Sequence, residues 1–411
     1  MTSPPNPSAI HAILHVGDMK CGSTSIQEWM TRDRPILAAN GYCLSGVTRI
    51  AHYDSRLSSY AVDDERMDVE ARKESGIASP NEVAAHRRDI EQRLAAEVAG
   101  LPSTAKAMIF SHELMLMLRP REVKRLVTML RQLFAGIRVV AYIRRQDRLF
   151  LSLWGQRLKS YAPEVDFFER QLARRRYVRM LDTWSQAVGR ENFVVRVFDK
   201  ASFAQGNLQA DFREAAGIPH DDRYAPPSRT NESLDAASQA LLLELGERLD
   251  GRSSRDQRRV WSRVRRAFQS KAARRKRVPV VPLPLKLFLI RHRTGRSLLP
   301  DRAWAQRIMA ACAKENEIVR QRYFPERTRL FDDDFSDYPT EGGPPGSNLR
   351  LCMPEDFANP VVGSLTPDEI IEAYRVVLGR EPDAVSVTRD QHAATNIAQV
   401  YASLLARSRA A

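Results

Sequence analysis

AILHVGDMKCGSTSIQEWM, residues 12 to 30, is the stretch that decides the fold. Its first five residues form an apolar run bounded by Gly17, the pattern of a buried parallel strand. A loop containing Gly17 and Gly22 follows. Ile26 and Met30 then stand four residues apart, on one face of a helix predicted over about Ser25 to Thr31. The opening unit is therefore strand, loop, helix. The same alternation recurs downstream: AKAMIF (105 to 110), IRVVAYI (137 to 143) and ENFVVRVFD (191 to 199) read as strands, and helices are predicted over about Pro120 to Phe134, Leu149 to Ser160 and Tyr177 to Val188. Strands alternating with helices predict an α/β domain, a parallel sheet flanked by helices with its ligands at the carboxyl ends of the strands.

The chain has 411 residues, 43% of them hydrophobic and 28% charged, the balance of a folded soluble protein with room for more than one domain. Four scattered cysteines, with no CxxC pair, encode neither a disulfide framework nor a zinc site. The first residues lack the basic and apolar regions of a secretory leader, and no run of about eighteen apolar residues occurs. A reducing cytoplasm is the expected compartment. Net charge is +14, which suggests a polyanionic partner until its position is considered. Residues 252 to 296 hold 16 Lys and Arg against one acid, Asp256, a local +15 that leaves −1 for the rest of the chain. The expected organisation is a disordered tail over 1 to 9, a main domain over 10 to 340 with a basic insertion at about 252 to 296, a turn-rich linker over 341 to 363, and a small helical domain over 364 to 411.

Three loops at strand ends carry candidate chemistry. The first, Gly17 to Ser25, has the G-x4-G spacing of a phosphate-cradling loop, with Ser23 where a nucleotidase has its lysine and Lys20 inside the loop instead. Amides at the start of the following helix and the hydroxyls of Ser23, Thr24 and Ser25 suit a phosphate, because unpaired N–H groups and the helix dipole both favour an anion. A plain Gly/Ser turn is the competing reading. The second loop follows IRVVAYI, where Arg144 and Arg145 precede a helix bearing Ser152; a forked guanidinium and a hydroxyl suit a second phosphate, against a solvated charge run with an incidental serine. The third is Ser111-His112-Glu113. Both His112 and Glu113 are chemically able to take a proton from a hydroxyl, and strand alternation allows one of them to face the pocket; a loop histidine and a helix-capping glutamate is the alternative.

Taken in order, these loops resemble those of the sulfotransferase family, and most closely its bacterial carbohydrate-modifying branch. HVGDMKCGSTSIQ (15 to 27) is similar to the family's 5′-phosphosulfate loop, and RRQDRLFLSLWGQ (144 to 156) to its 3′-phosphate motif. Tyr177 with LDTWSQAVGRENFVVRVFD, RTNESLD (229 to 235) and RYFPERTRLFDDDF extend the resemblance over about residues 10 to 340. It implies a P-loop-like α/β domain, a donor, 3′-phosphoadenosine 5′-phosphosulfate, and no metal. It implies also that Gly22, Ser23, Thr24 and Ser25 hold the 5′-phosphate, that Arg144 and Ser152 hold the 3′-phosphate, and that Lys20 neutralises the leaving oxygen. Glu113 is then the preferred base with His112 in reserve, and the acceptor is a hydroxyl of a carbohydrate or glycolipid. Cys21 and Ser23 depart from the threonines usual in the loop, Ser25 stands where the small-molecule enzymes carry an adenine-stacking tryptophan, and the 252 to 296 segment has no counterpart.

A P-loop kinase acting on a sugar or nucleoside is a competing class, opposed by Ser23 at the lysine position. A non-catalytic nucleotide- or glycan-binding relic is another. Asp332, Asp333 and Asp334 read as a solvated turn in preference to a metal cluster. VPVVPLPLKLFLI (278 to 290), flanked by AARRKR and RHRTGR, joins an apolar core to cationic ends and is expected to touch an anionic membrane surface peripherally at its inner face, or an anionic acceptor; a plain solvated helical surface is the competing reading, and nucleic acid is the least favoured partner. Tyr374-x3-Leu378-Gly379-Arg380-x-Pro382-Asp383 resembles a small helical domain of unknown function attached to bacterial glycan-processing enzymes, with Arg380 and Asp383 read as capping or salt-bridge residues.

Overall fold

A computed structural model describes residues 8–67, 72, 77, 79, 82–159, 167–174, 176–226, 233–251, 281–293, 295, 297, 299–343, 345, 353–360 and 365–410. The predicted strands are present as β1 (Ser8–His15), β3 (Ala107–Ser111), β4 (Phe134–Ile143) and β5 (Phe193–Val197), joined by a short strand that the sequence did not suggest, β2 (Tyr42–Leu44). They form one parallel sheet in the order β2-β3-β1-β4-β5. Ala12, Ile13 and Leu14 of the central β1 are all buried, as are Val139 to Ile143 of β4. Continuous apolar runs of this kind are what a sheet covered on both faces requires.

The helices in the same stretch of chain are α1 (Ser23–Arg32), α2 (Arg34–Ala39), α3 (Ser55–Ala61), α4 (Val83–Ala99), α5 (Pro120–Leu133), α6 (Gln146–Leu158), α7 (Phe167–Arg174), α8 (Tyr177–Val188) and α9 (Leu208–Ala216). Helix α1 begins two residues earlier than its apolar spacing indicated, since Gly22 in the left-handed region (φ 78°) forms its amino-terminal boundary. Its buried face, Ile26, Trp29 and Met30, packs with Phe212, Ala215 and Ala216 of α9 and with Ile13 and Ile109 of the sheet. Tyr142 of β4 donates from its buried hydroxyl to Asp211 of α9. Burying that carboxylate is tolerable because it is paired.

Two compact units emerge from the chain. The first comprises Met1–Leu149, Leu172–Thr230 and Ala311–Asp333 and contains the sheet; the second comprises Phe150–Gln171, Asn231–Ala310 and Asp334–Ala411. Among the described residues of the second, α10 (Ala236–Gly251), α11 (Leu283–His292), α13 (Pro367–Leu378), α14 (Ala384–Ala393) and α15 (Ile397–Ala410) are helical, while α12 (Arg302–Tyr323) runs through both stretches of chain. The C-terminal helices share this unit with α10 and α11: α13 packs on α15, α11 on α15 and α10 on α13. Arg409 donates to both carboxylate oxygens of Glu244 at 2.7 Å, tying α15 to α10. The Tyr374 motif is accounted for by packing. Tyr374 donates to Asp390 at 2.7 Å, Arg407 grips the same carboxylate through two bonds, and Asp383 caps α14 by accepting from the Ser386 amide. Most of the basic stretch, residues 252 to 280, and the RTNE portion of RTNESLD lie outside the described residues.

Candidate active site

In the first unit the chain leaves β1 toward the β2 edge and leaves β4 toward the β5 edge, so the carboxyl ends of these two adjacent strands flank a crevice of the kind in which parallel sheets bind ligands. Both phosphate-loop candidates start there. The β1 loop is anchored by Val16, whose amide donates to Val140, and by Asp18, whose amide donates to Tyr142. It then turns through left-handed conformations at Lys20 (φ 63°) and Gly22 (φ 78°). A Cβ at Gly22 would lie 2.4 Å from Leu208 and 2.6 Å from Phe198, so these side chains would have to shift to admit one. At Gly17 a Cβ would lie 3.0 Å from His15 Nε2 and 3.2 Å from the Ser23 hydroxyl.

Ser23, Thr24 and Ser25 form the first turn of α1, whose opening amides have no acceptor within the helix. Ser23 is buried, Ser25 half-buried and Thr24 exposed. The Ser23 hydroxyl and His15 Nε2 are buried polar atoms that no protein group satisfies. Such atoms in a native site are accounted for by a ligand or by water. Burial drives the His15 imidazole pKa down to about 3, so the ring is neutral at physiological pH.

Arg144, at the end of β4, reaches across the crevice. Its guanidinium donates to the Lys20 carbonyl at 2.8 Å and lies over the Phe198 ring, 5.2 Å from the centroid. Its backbone is fixed by Tyr177, which accepts from the Arg144 amide at 3.2 Å and donates to its carbonyl at 2.8 Å. Burial lowers the Arg144 pKa. The adjacent Arg145 is directed elsewhere, into ion pairs with Asp147 and Asp332, while Asp333 pairs with Arg329. Two members of the aspartate triplet are thus committed to arginines. Ser152 is half-buried on α6, in the part of the chain that belongs to the second unit.

The third loop resolves into two different environments. Glu113 opens a short 3-10 turn, Glu113–Met117. Burial raises its pKa, the charge of Lys20 opposes that rise and the charge of Asp18 adds to it. Lys20 shows the reciprocal pattern: burial lowers its pKa, Glu113 supports the ammonium and Arg144 opposes it. Lys20, Glu113, Asp18 and Arg144 therefore form one electrostatic group. His112 stands apart from that group. Its ring is buried, lies against Tyr53 with centroids 5.4 Å apart, and has its pKa pushed down to about 4 by burial.

Behind the loops lies a buried hydrogen-bond network. Ser111 shares a 2.8 Å bond with His15 Nδ1, its hydroxyl accepts from Gln27 at 3.2 Å, and its amide donates to Asp54 at 2.7 Å. Asp54 also accepts from Thr48 at 2.6 Å, and burial pushes its pKa up to about 6. The network joins the end of β1, the start of α1 and the end of β3, so that the loops bearing Lys20 and Glu113 leave from tied positions. Sequence reading did not single out Asp18, Asp54, Ser111 or Phe198 as separate contributors.

No family model matches the chain. It is 30% identical over 126 residues to an uncharacterized protein of Archaeoglobus fulgidus, a match that takes in 28% of this chain and 33% of that one, so the chain spans about a third of the length of the curated relative it matches. Among solved structures it is similar to a sulfotransferase from Alicyclobacillus acidocaldarius, at 16% identity with 55% of this chain and 86% of that chain covered and a TM-score of 0.34. The sulfotransferase domain from the curacin biosynthetic pathway matches at 10% identity, 55% and 79% coverage and a TM-score of 0.34. A GTPase in apo form from Pyrococcus abyssi matches at 11% identity, 47% and 92% coverage and a TM-score of 0.21.

Proposed function

We propose that the chain is a sulfotransferase that moves a sulfuryl group from 3′-phosphoadenosine 5′-phosphosulfate to a hydroxyl of a carbohydrate or glycolipid. The observation that carries this reading is the bond from Arg144 to the Lys20 carbonyl, which links the two phosphate-type loops in one crevice beside Glu113. A donor of this kind supplies a sulfuryl group attached to a phosphate that departs as an oxyanion. The residues present fit it. The Ser23 hydroxyl is buried without a protein partner, the space between it and His15 exists because residue 17 lacks a side chain, and the opening amides of α1 are N–H donors at the positive end of a helix dipole, which favours an anion.

In this reading Gly22, Ser23, Thr24 and Ser25 bind the 5′-phosphate through amides and hydroxyls. Arg144 contributes its positive charge to the 3′-phosphate. The Lys20 ammonium neutralises charge that builds on the departing oxygen, an interaction strongest in the transition state. Glu113 accepts the acceptor's proton as the new sulfur–oxygen bond forms and the bond to the phosphate oxygen breaks, so that no covalent enzyme intermediate is needed. Its raised pKa improves it as a base, and its coupling to Lys20 supports choosing it over His112.

The test is sulfuryl transfer from labelled donor to glycan and glycolipid hydroxyls. Glu113→Gln is expected to retain donor binding and to lose about 10²- to 10⁴-fold in turnover. Full activity in Glu113→Gln with none in His112→Ala would assign the base to His112. Phosphoryl transfer from ATP with magnesium, and none from the sulfated donor, would replace the reading with a kinase.

A further inference from the structure

Helix α11 (Leu283–His292) is apolar on two sides. Leu285, Phe288 and Leu289 face inward and are buried within the second unit, where the helix packs on α15. On the opposite side Leu283, Leu287 and Ile290 are 44%, 41% and 39% exposed. Their spacing of four and then three residues makes them a single stripe along the outer face. Only three other large apolar side chains among the described residues are as exposed, Leu114, Met353 and Val385, and these stand at separate points of the chain. Single exposed leucines are ordinary, whereas three on one helical face form a surface that water disfavours.

Charge frames the stripe. With about 3.6 residues per turn, Lys286 lies along one border and Arg291 along the other. No acid occurs on α11, and the sequence from 252 to 296 has 16 basic residues to one acidic. A helix of ten residues is only about 15 Å long, half of what crossing a bilayer core demands, so an apolar face bordered by cations suits a position along a membrane surface and not across it.

We propose that the outer face of α11 seats the second unit on a membrane surface rich in anionic lipid, with Leu283, Leu287 and Ile290 entering the headgroup boundary and Lys286 and Arg291 meeting lipid phosphates. The alternatives fit the same face less well. Nucleic-acid backbone offers phosphates to the cations but nothing to three aliphatic side chains. A second copy docked by the same face would bring two cationic borders together. This inference is independent of the sulfotransferase reading, because none of its residues belongs to the proposed donor site.

The test is co-sedimentation of the full chain with vesicles of phosphatidylcholine alone and of phosphatidylcholine mixed with phosphatidylglycerol. The intact protein is expected to bind the mixed vesicles at low salt, to bind the neutral ones weakly, and to be released as salt rises. Leu287→Gln with Ile290→Gln is expected to lower the partition coefficient at least about tenfold by removing the inserted surface. Lys286→Gln with Arg291→Gln is expected to act in the same direction. Both pairs occupy outer positions of the helix, circular dichroism checks their folding, and Leu283→Gln gives a single-site reading of the same face. Absence of binding at low salt overturns the proposal. So does binding that the apolar pair leaves intact and RNA competes away, or a dimer of the intact protein that the apolar pair dissociates.

Discussion

The guanidinium of Arg144 donates to the main-chain carbonyl of Lys20 at 2.8 Å, so a residue at the end of one central strand fixes the backbone of the loop that follows its neighbour. Two consequences follow for Arg144→Ala. In the proposed reading Arg144 gives the 3′-phosphate a charged hydrogen bond, whose loss should cost about 1.5 to 3 kcal/mol of affinity for the donor nucleotide. The Lys20 carbonyl also loses its donor, so turnover at saturating donor should fall as well. Arg144→Lys keeps charge without the fork and should recover part of the affinity. Calorimetric titration and turnover at saturating donor, measured on both variants, separate the two effects.

Gly22 carries a sharper steric demand than Gly206, another turn glycine with a left-handed φ. Gly22→Ala places a Cβ 2.4 Å from Leu208 and 2.6 Å from Phe198 at a left-handed φ, whereas Gly206→Ala has the same kind of φ (70°) with no atom within 4 Å. Gly206→Ala should cost about 1 kcal/mol of stability, the backbone penalty alone. Gly22→Ala should cost about 1 to 3 kcal/mol more through overpacking and should also weaken nucleotide binding. Denaturant melts of the two variants make the comparison; equal losses would mean that the loop yields freely.

Asp54 gives a stability signature in acid. Its carboxyl is pushed up to about 6 in the fold by burial, above its ordinary 3.8, so the folded state holds a proton that the unfolded state releases in that window. The contribution is fully favourable below about pH 4 and is lost as pH rises through about 6, by no more than about 3 kcal/mol. Asp54→Asn should flatten this part of the stability profile. Its remaining oxygen can still accept from the Ser111 amide, and the Thr48 hydroxyl can turn to accept from the new NH2, so the variant should still fold. A profile that slopes as steeply as before would assign the titration to another group.

The pH–rate profile should show an acidic limb set by Glu113. A base must be ionised, and burial raises the Glu113 pKa above its ordinary 4.5. Activity is therefore expected to rise with pH through that raised value and then level off. In Lys20→Ala the limb should move to higher pH, because the cation that favours the carboxylate has gone. An unmoved limb would uncouple the two groups.

The central strands were legible in the sequence because β1 and β4 are buried on both faces and read as continuous apolar runs. β2 was not, since its three residues, Tyr42–Leu44, are too few to display a period. The start of α1 at Ser23 was obscured by three consecutive hydroxyl residues, which read equally as loop; Gly22 in a left-handed conformation draws the boundary. The choice between His112 and Glu113 stayed open because neighbouring residues differ in direction and not in chemical aptitude, and direction is set by the turn that begins at Glu113. Phe198 is far from Gly22 in the chain, and no local pattern announces that its ring limits residue 22 and supports Arg144.

The most direct measurement is calorimetric titration of the intact chain with 3′-phosphoadenosine 5′-phosphate, AMP and ATP, each without magnesium and ATP also with it. Two phosphate-type loops joined by Arg144 and Lys20 predict that the doubly phosphorylated nucleotide binds without metal and at least about tenfold more tightly than AMP, the share of a single charged contact. Equal affinity for AMP, or tight binding confined to ATP with magnesium, would contradict the account.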